Sequence, residues 1–248
     1  MVKQLVLPTL IYASISALGF VIINAIFDVE YSDPAMQYLG ISFMLVSAGF
    51  VAYLLRGRLH LHGWLGTTAL PRHYRFTLRV LIVATLILFL AAPIEFALRG
   101  EFSPIIFASV VLSLLIGFSE EGFFRKFILD HTKDSDSLKT KCIWLIGSMV
   151  LFGFLHMTNV LSGMPVGAAF DQSLKAMPMG LVAGAIYLRT RAFLAVVLWH
   201  ASIDFTLFAN AQKPFYFGGV WGIIIDLCII ALSIFVIWDA IKALRSRS

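Results

Sequence analysis

The sequence predicts an all-α fold: a polytopic membrane helical bundle of about eight transmembrane helices with both termini cytoplasmic. Three observations carry this. Of the 248 residues, 60% are hydrophobic and only 13% are charged, with a mean hydropathy of +0.90. A soluble domain is about 45–50% apolar and about 25% charged. The apolar residues also gather into eight runs, each close to the roughly 20 residues of helix that cross about 30 Å of hydrocarbon. Finally, the basic residues alternate from one connection to the next.

The runs fall at 5–27, 35–55, 76–98, 103–129, 140–160, 174–189, 192–211 and 218–241. The first follows Met-Val-Lys-Gln and ends in the acidic Asp28-Val-Glu30-Tyr-Ser-Asp33, with no small-residue cleavage pattern, so it reads as a retained helix. The fourth is the least uniform, because its apolar run stops at Glu120-Glu121 and resumes at Phe123. Arg189-Thr-Arg191 alone separates the sixth from the seventh, which makes them a tight hairpin. The connections at 56–75 and 126–141 are short and charged, and a surface helix around His60 to Arg79 fits the first. No repeat or soluble domain interrupts the pattern. Residues 1–248 read as one membrane-embedded domain with a motif core at about 103–211.

One set of ends carries Lys3, Arg56, Arg58, Arg72, Arg75, Arg79, Lys126, Lys133, Lys139, Lys141, Arg189, Arg191, Lys242, Arg245 and Arg247. The other carries Arg99, Lys175 and Lys213, with Asp28, Glu30 and Asp33. Basic residues concentrate on the cytoplasmic side, so both termini are placed inside. This spread over short loops also argues against a nucleic-acid partner, despite a net charge of +5 and a pI near 9.3. Cys142 and Cys228 fall at or inside spans and read as small core hydrophobes, not as a disulfide or metal pair.

Against this background, three runs place ionisable groups inside apolar helices, where a charge costs about 2.5–3.5 kcal/mol on insertion scales. They are Glu120-Glu121-Gly-Phe-Phe-Arg125, Phe152-Gly-Phe-Leu-His156 and His200-Ala-Ser-Ile-Asp204. Glu121 and Arg125 are four apart and share a helix face, so an ion pair offsets part of their burial cost. That leaves Glu120 facing elsewhere, unpaired, as suits a general base. His200 and Asp204 are also four apart; Asp204 can fix the imidazole tautomer, or both can ligate a metal. One glutamate and two histidines match the ligand types of a hydrolytic zinc site, and equally a metal-free site that activates water. Straight helices put His156 further out than Glu120 and His200, so convergence requires a tilted fifth helix, a re-entrant start or shifted boundaries.

Other chemistries lack their signatures. His-Glu-x-x-His, Gly-x-Ser-x-Gly and glycine-rich phosphate loops are absent from the sequence. Ser119 is followed by a glutamate where a rhomboid-type serine would have a glycine. Glu95 and Asp226 are further acids within spans, unassigned to the site.

Glu-Glu-x-x-x-Arg, Phe-x-x-x-His and His-x-x-x-Asp, in this order and in this membrane context, resemble the CAAX protease and bacteriocin-processing (CPBP) family of intramembrane proteases, which includes the prenyl endopeptidase Rce1. The matching region is about 120–204. The resemblance implies a helical bundle around a conical cavity open toward the cytoplasm. It implies catalytic roles for Glu120, His156, His200 and Asp204: water activation by Glu120 with His156, and oxyanion stabilisation by His200 and Asp204. Glu121, Arg125 and Phe152 would be structural supports. A zinc ion held by Glu120, His156, His200 and Asp204 and a metal-free glutamate mechanism both stay open. Asp204 stands where the prenyl-protease branch usually has asparagine, and an ionised aspartate cannot donate to an oxyanion. Asp204 is then protonated, or orients His200, or ligates a metal.

The expected activity is endopeptidase cleavage of a membrane-associated peptide or protein in a prokaryotic plasma membrane. The expected partners are the lipid bilayer and that substrate, with the oligomeric state open. The alternatives are a non-catalytic scaffold or bacteriocin-immunity protein of the same fold, and an ion-coupled transporter, which the lack of internal symmetry disfavours.

Overall fold

The computed structural model describes residues 2–31, 33–57, 70–133, 136–212 and 217–245. These form eight α-helices: α1 (Val2–Phe27), α2 (Met36–Leu54), α3 (Arg72–Leu98), α4 (Pro104–Glu121), α5 (Leu138–Leu155), α6 (Val166–Thr190), α7 (Phe193–Gln212) and α8 (Phe217–Arg245). No strand occurs among the described residues. Two helices change pitch. α4 continues as a π-helix over Gly122–Leu129, and α5 continues as a 3₁₀-helix over His156–Ser162. All but α6 lie within segments long and apolar enough to cross a membrane. α6 carries Asp171, Gln172 and Lys175 in its first turns, and an exposed Lys175–Asp171 pair keeps that end polar.

The proposed surface helix at His60–Arg79 lies partly outside the described residues, since 58–69 are not among them. Its later part, Arg72 to Arg79, is instead the start of α3. The fourth span begins where the sequence suggests, because Pro104 sits in the first helical turn and Ser103 caps it, accepting from the Ile105 amide at 3.5 Å. Ser137 caps α5 through the Thr140 amide at 3.2 Å. Gly163, at φ +88, ends the 3₁₀ segment in the left-handed region that favours glycine.

The closest pairings are α4 with α7, α5 with α6, α3 with α8, and α2 with α4. Without a hydrophobic drive between helices in lipid, small residues decide where backbones approach. At Gly117 an added Cβ would lie 2.7 Å from the Val197 carbonyl, and at Gly153 2.9 Å from the Ser173 carbonyl. Buried Ala195, Ala201 and Ala209 line α7. Gly117→Val is therefore expected to push α4 off α7 and lower the melting temperature in detergent, whereas Gly147→Ala, with open space around it, leaves it unchanged.

Polar ties mark the two faces. On one, Asp239 near the end of α8 accepts from Arg189 at 2.6 Å and from the Tyr74 hydroxyl at 3.1 Å. Nearby, Asp130 accepts from Tyr187 at 2.7 Å and from Arg191 at 3.2 Å. On the opposite face, the Tyr31 amide donates to the Ser162 carbonyl at 2.8 Å, fixing the α1–α2 connection to the end of the 3₁₀ segment. Arg99 pairs with Glu95 and Glu101 there, which accounts for Glu95 as an end-of-helix acid. Asp226 is exposed on α8, away from the cavity described below. Cys142 is exposed, not a core residue as its sequence context suggests, while Cys228 is buried; both are free thiols.

Candidate active site

The site is built on a fully buried guanidinium. Arg125, one turn into the π-helix, has no exposed side-chain surface. Its Nε lies 2.9 Å from Glu121 Oε2, and its Nη2 donates to Glu121 Oε1 at 3.4 Å, so the pairing is two-pronged. Nη1 donates to Ser148 Oγ at 3.1 Å. Ser148 in turn donates to the Phe124 carbonyl at 2.9 Å. The guanidinium also sits 4.7 Å over the Phe152 ring. Gly180 on α6 makes room for both, since a Cβ there would meet Phe152 at 3.0 Å. The i, i+4 ion pair expected between Glu121 and Arg125 is thus present.

Glu121 has a second task that local spacing does not reveal. Its Oε1 accepts from His200 Nδ1 at 2.9 Å, across 79 positions of sequence. His200 Nε2 is left facing Glu120 Oε2 at 3.8 Å and Asp204 Oδ2 at 3.4 Å. Of the roles left open for Asp204, fixing the His200 tautomer is the one the geometry gives to another residue. Glu121 holds the imidazole, and Asp204 approaches the other nitrogen without a hydrogen bond. Among the described residues, Glu120 Oε2 and Asp204 Oδ2 have no hydrogen-bond partner. Two carboxylate oxygens without hydrogen bonds among the described residues, beside an imidazole, form a polar site.

His156 joins the group because of register. Ser148 fixes α5 beside Phe124, so Phe152 falls against His200, with ring centroids 5.7 Å apart, and His156 follows one turn on. His156 Nδ1 donates to the Phe152 carbonyl at 3.0 Å, and the two rings meet edge to face at 5.3 Å. Donation from Nδ1 leaves Nε2 as the acceptor of a neutral imidazole.

Glu120, His156, His200 and Asp204 line one cavity of about 490 Å³. Its walls are the outer turns of α1, α2, α4 and α7, with Phe20, Phe43, Leu112, Ile116 and Phe208 as the apolar lining. It reaches Tyr31, Asp33 and Pro34 in the α1–α2 connection. The resemblance implied a cavity open toward the cytoplasm, yet this one lies on the face opposite the basic ends. Below Glu120 the bundle is solid: Glu121, Phe123, Arg125 and Phe193 are buried, and Tyr12 stacks on Phe123 at 4.4 Å. Ser119 is buried and does not line the cavity.

A polar shelf near the mouth has no counterpart in the sequence reading. Asn159 donates to Gln172 Oε1 at 2.8 Å, and Gln172 donates to the Tyr31 hydroxyl at 3.2 Å. Burial holds the Tyr31 phenol above its ordinary range, against the opposing pull of Gln172, so it stays a neutral hydroxyl. The three residues come from three separate elements and share no spacing, so only the fold brings them together.

No three His, Cys, Asp or Glu side chains among the described residues stand where they could hold a metal ion together. His200 Nδ1 and His156 Nδ1 are both committed within the protein, which leaves Nε2 of each ring as the nitrogen able to meet a substrate or a metal.

Fold and site together define a multi-pass helical membrane protein with a carboxylate–imidazole cluster at the base of a cavity. Residues 102–206 match the family model of the type II CAAX prenyl endopeptidases, Rce1-like. The matched segment runs from just before α4 into α7 and contains every residue of the cluster. That family is one of proteases. No curated protein and no solved structure matches the chain.

Proposed function

We propose that the protein is an intramembrane endopeptidase that hydrolyses a peptide bond of a membrane-associated peptide or protein, in a prokaryotic plasma membrane. One observation carries the reading: ionisable side chains from three helices meet at one cavity, with Glu120 Oε2 and Asp204 Oδ2, neither of them hydrogen-bonded among the described residues, around His200 Nε2. Burying such a set is expensive unless it works.

The steps use the chain's own groups. A water beside Glu120 loses a proton to the Glu120 carboxylate, assisted by the free Nε2 of His156. The hydroxide oxygen adds to the peptide carbonyl carbon. His200 is held by Glu121 through Nδ1, so only Nε2 can meet the carbonyl oxygen; when protonated it donates to the oxyanion. Collapse breaks the C–N bond, and the proton on Glu120 passes to the leaving amine. One water is consumed, and a carboxylate and an amine result. A protonated Asp204 would add a second donor.

The test is cleavage of an internally quenched peptide library by detergent-purified protein, read by fluorescence and mass spectrometry. Wild type is compared with Glu120→Ala, His156→Ala and His200→Ala, with and without a chelator. Cleavage lost in all three variants is the expected result. Cleavage that survives Glu120→Ala sinks the mechanism. Loss of wild-type cleavage on chelation, restored by zinc, assigns the four residues to a metal instead.

A further inference from the structure

We infer that the scissile segment reaches Glu120 from the extracytoplasmic face, so that the substrate is a polypeptide presenting an exposed segment on the outer side of the bilayer. The inference rests on the hydrolase reading for the substrate's nature, but not for the direction of access.

Three observations converge on that direction. The cavity climbs from Glu120 along Ile116 and Leu112 of α4, and from Asp204 along Leu207 and Phe208 of α7, toward Asp33 and Pro34. Each of these steps leads away from Arg191, at the start of α7, and from Lys126, beyond the end of α4. In the opposite direction the cavity lining stops at Glu120 and His200 among the described residues. The eight residues Gly122–Leu129 are all buried, and Phe193 and Tyr12 close over them.

Charge then fixes which face is which. At the plugged ends of the helices stand Arg56, Arg72, Arg75, Arg79, Lys126, Lys133, Lys139, Lys141, Arg189, Arg191, Lys242 and Arg245. At the cavity end, the described basic residues are Arg99 and Lys175. Both are matched by acids, Arg99 by Glu95 and Glu101, Lys175 by Asp171. An excess this large in short connections places the plugged face in the cytoplasm. The mouth is then extracytoplasmic.

The mouth also fits a polypeptide. An extended backbone offers N–H and C=O groups at regular intervals, and the Asn159–Gln172–Tyr31 shelf offers amides and a hydroxyl beside the path. Below it the apolar wall of Phe20, Phe43, Leu112 and Ile116 suits an apolar side chain next to the bond that is cut. A small polar metabolite would leave that wall unfilled.

The test separates access from catalysis. Cys142→Ser and Cys228→Ser give a thiol-free background in which Ile116→Cys, Leu207→Cys and Asp33→Cys are made singly. Protein retaining only Cys142, near the start of α5, serves as the cytoplasmic-face control. A membrane-impermeant methanethiosulfonate is applied to intact spheroplasts and to inside-out vesicles. The expected result is labelling of Ile116→Cys, Leu207→Cys and Asp33→Cys in spheroplasts, where Cys142 stays unlabelled, with Cys142 reacting in inside-out vesicles. Cavity cysteines that react only in inside-out vesicles, or that stay silent in spheroplasts, overturn the inference. Labelling needs no activity, so it stands or falls apart from the detergent cleavage assay. If cleavage succeeds while labelling comes from inside, the protease reading survives and the direction does not. If labelling succeeds and no peptide is cut, the reverse holds.

Discussion

Replacing Arg125 with leucine is expected to cost about 3–5 kcal/mol of stability, because it leaves the Glu121 carboxylate buried without its counter-charge. Both side chains are wholly enclosed, so no water can take over. The guanidinium also ties Ser148, and through it the register of α5, and stacks on Phe152. Arg125→Leu should therefore yield little monodisperse protein, with a sharply lowered melting temperature in detergent. Arg125→Lys keeps the charge but cannot bridge Glu121 and Ser148 together, and should fall between the two. A second change, Glu121→Gln on Arg125→Leu, removes the stranded charge and should recover part of the stability but no cleavage. If Arg125→Leu melts like wild type, the buried pair is not what holds the centre of the bundle.

The second large effect is on turnover. Glu120→Gln keeps the shape and removes the proton acceptor, so cleavage is expected to fall by about 10²–10⁴. Its stability should move the other way. Glu120 Oε2 has no hydrogen-bond partner among the described residues, and an unsatisfied buried carboxylate opposes folding. Glu120→Gln should thus melt at or above wild type while losing activity. Glu121→Gln, one position along, should lose both, since it unpairs Arg125 and can no longer hold His200 in one tautomer. Opposite stability signs at adjacent glutamates can be read by thermal unfolding beside the cleavage assay. A Glu120→Gln protein that melts well below wild type would mean that Glu120 supports the fold.

Much of this was legible in the residues. The eight apolar runs became eight helices, and the four-residue spacing of Glu121 and Arg125 became an ion pair because spacing on one helix is local information. The convergence of His156 with Glu120 and His200 also followed, once Ser148 set the register of α5. What lay out of reach was long-range. The bond from His200 to Glu121 spans 79 positions, and local spacing offered only the i, i+4 neighbour Asp204 as one candidate for the role that Glu121 holds in space. The π-helical pitch after Glu121 is likewise invisible to a 3.6-residue period. The side on which the cavity opens depends on which ends of four helices splay and which are plugged by Phe123, Phe193 and Tyr12, and none of these aromatics differs in sequence from ordinary core residues.

The shared carboxylate of Glu121 also bears on how such a protein can change. One oxygen, Oε1, serves the arginine that holds the bundle and the imidazole that meets the substrate. Robustness and function are therefore inherited together at this position, and no single substitution can trade one for the other. A library selected for heat resistance alone should accept Gln at position 120, and with it inactive protein, yet keep Glu121 and Arg125 fixed. Evolution toward new substrates has its freedom elsewhere, in the cavity wall at Phe20, Phe43, Leu112 and Ile116, where a changed side chain alters the fit without touching the centre.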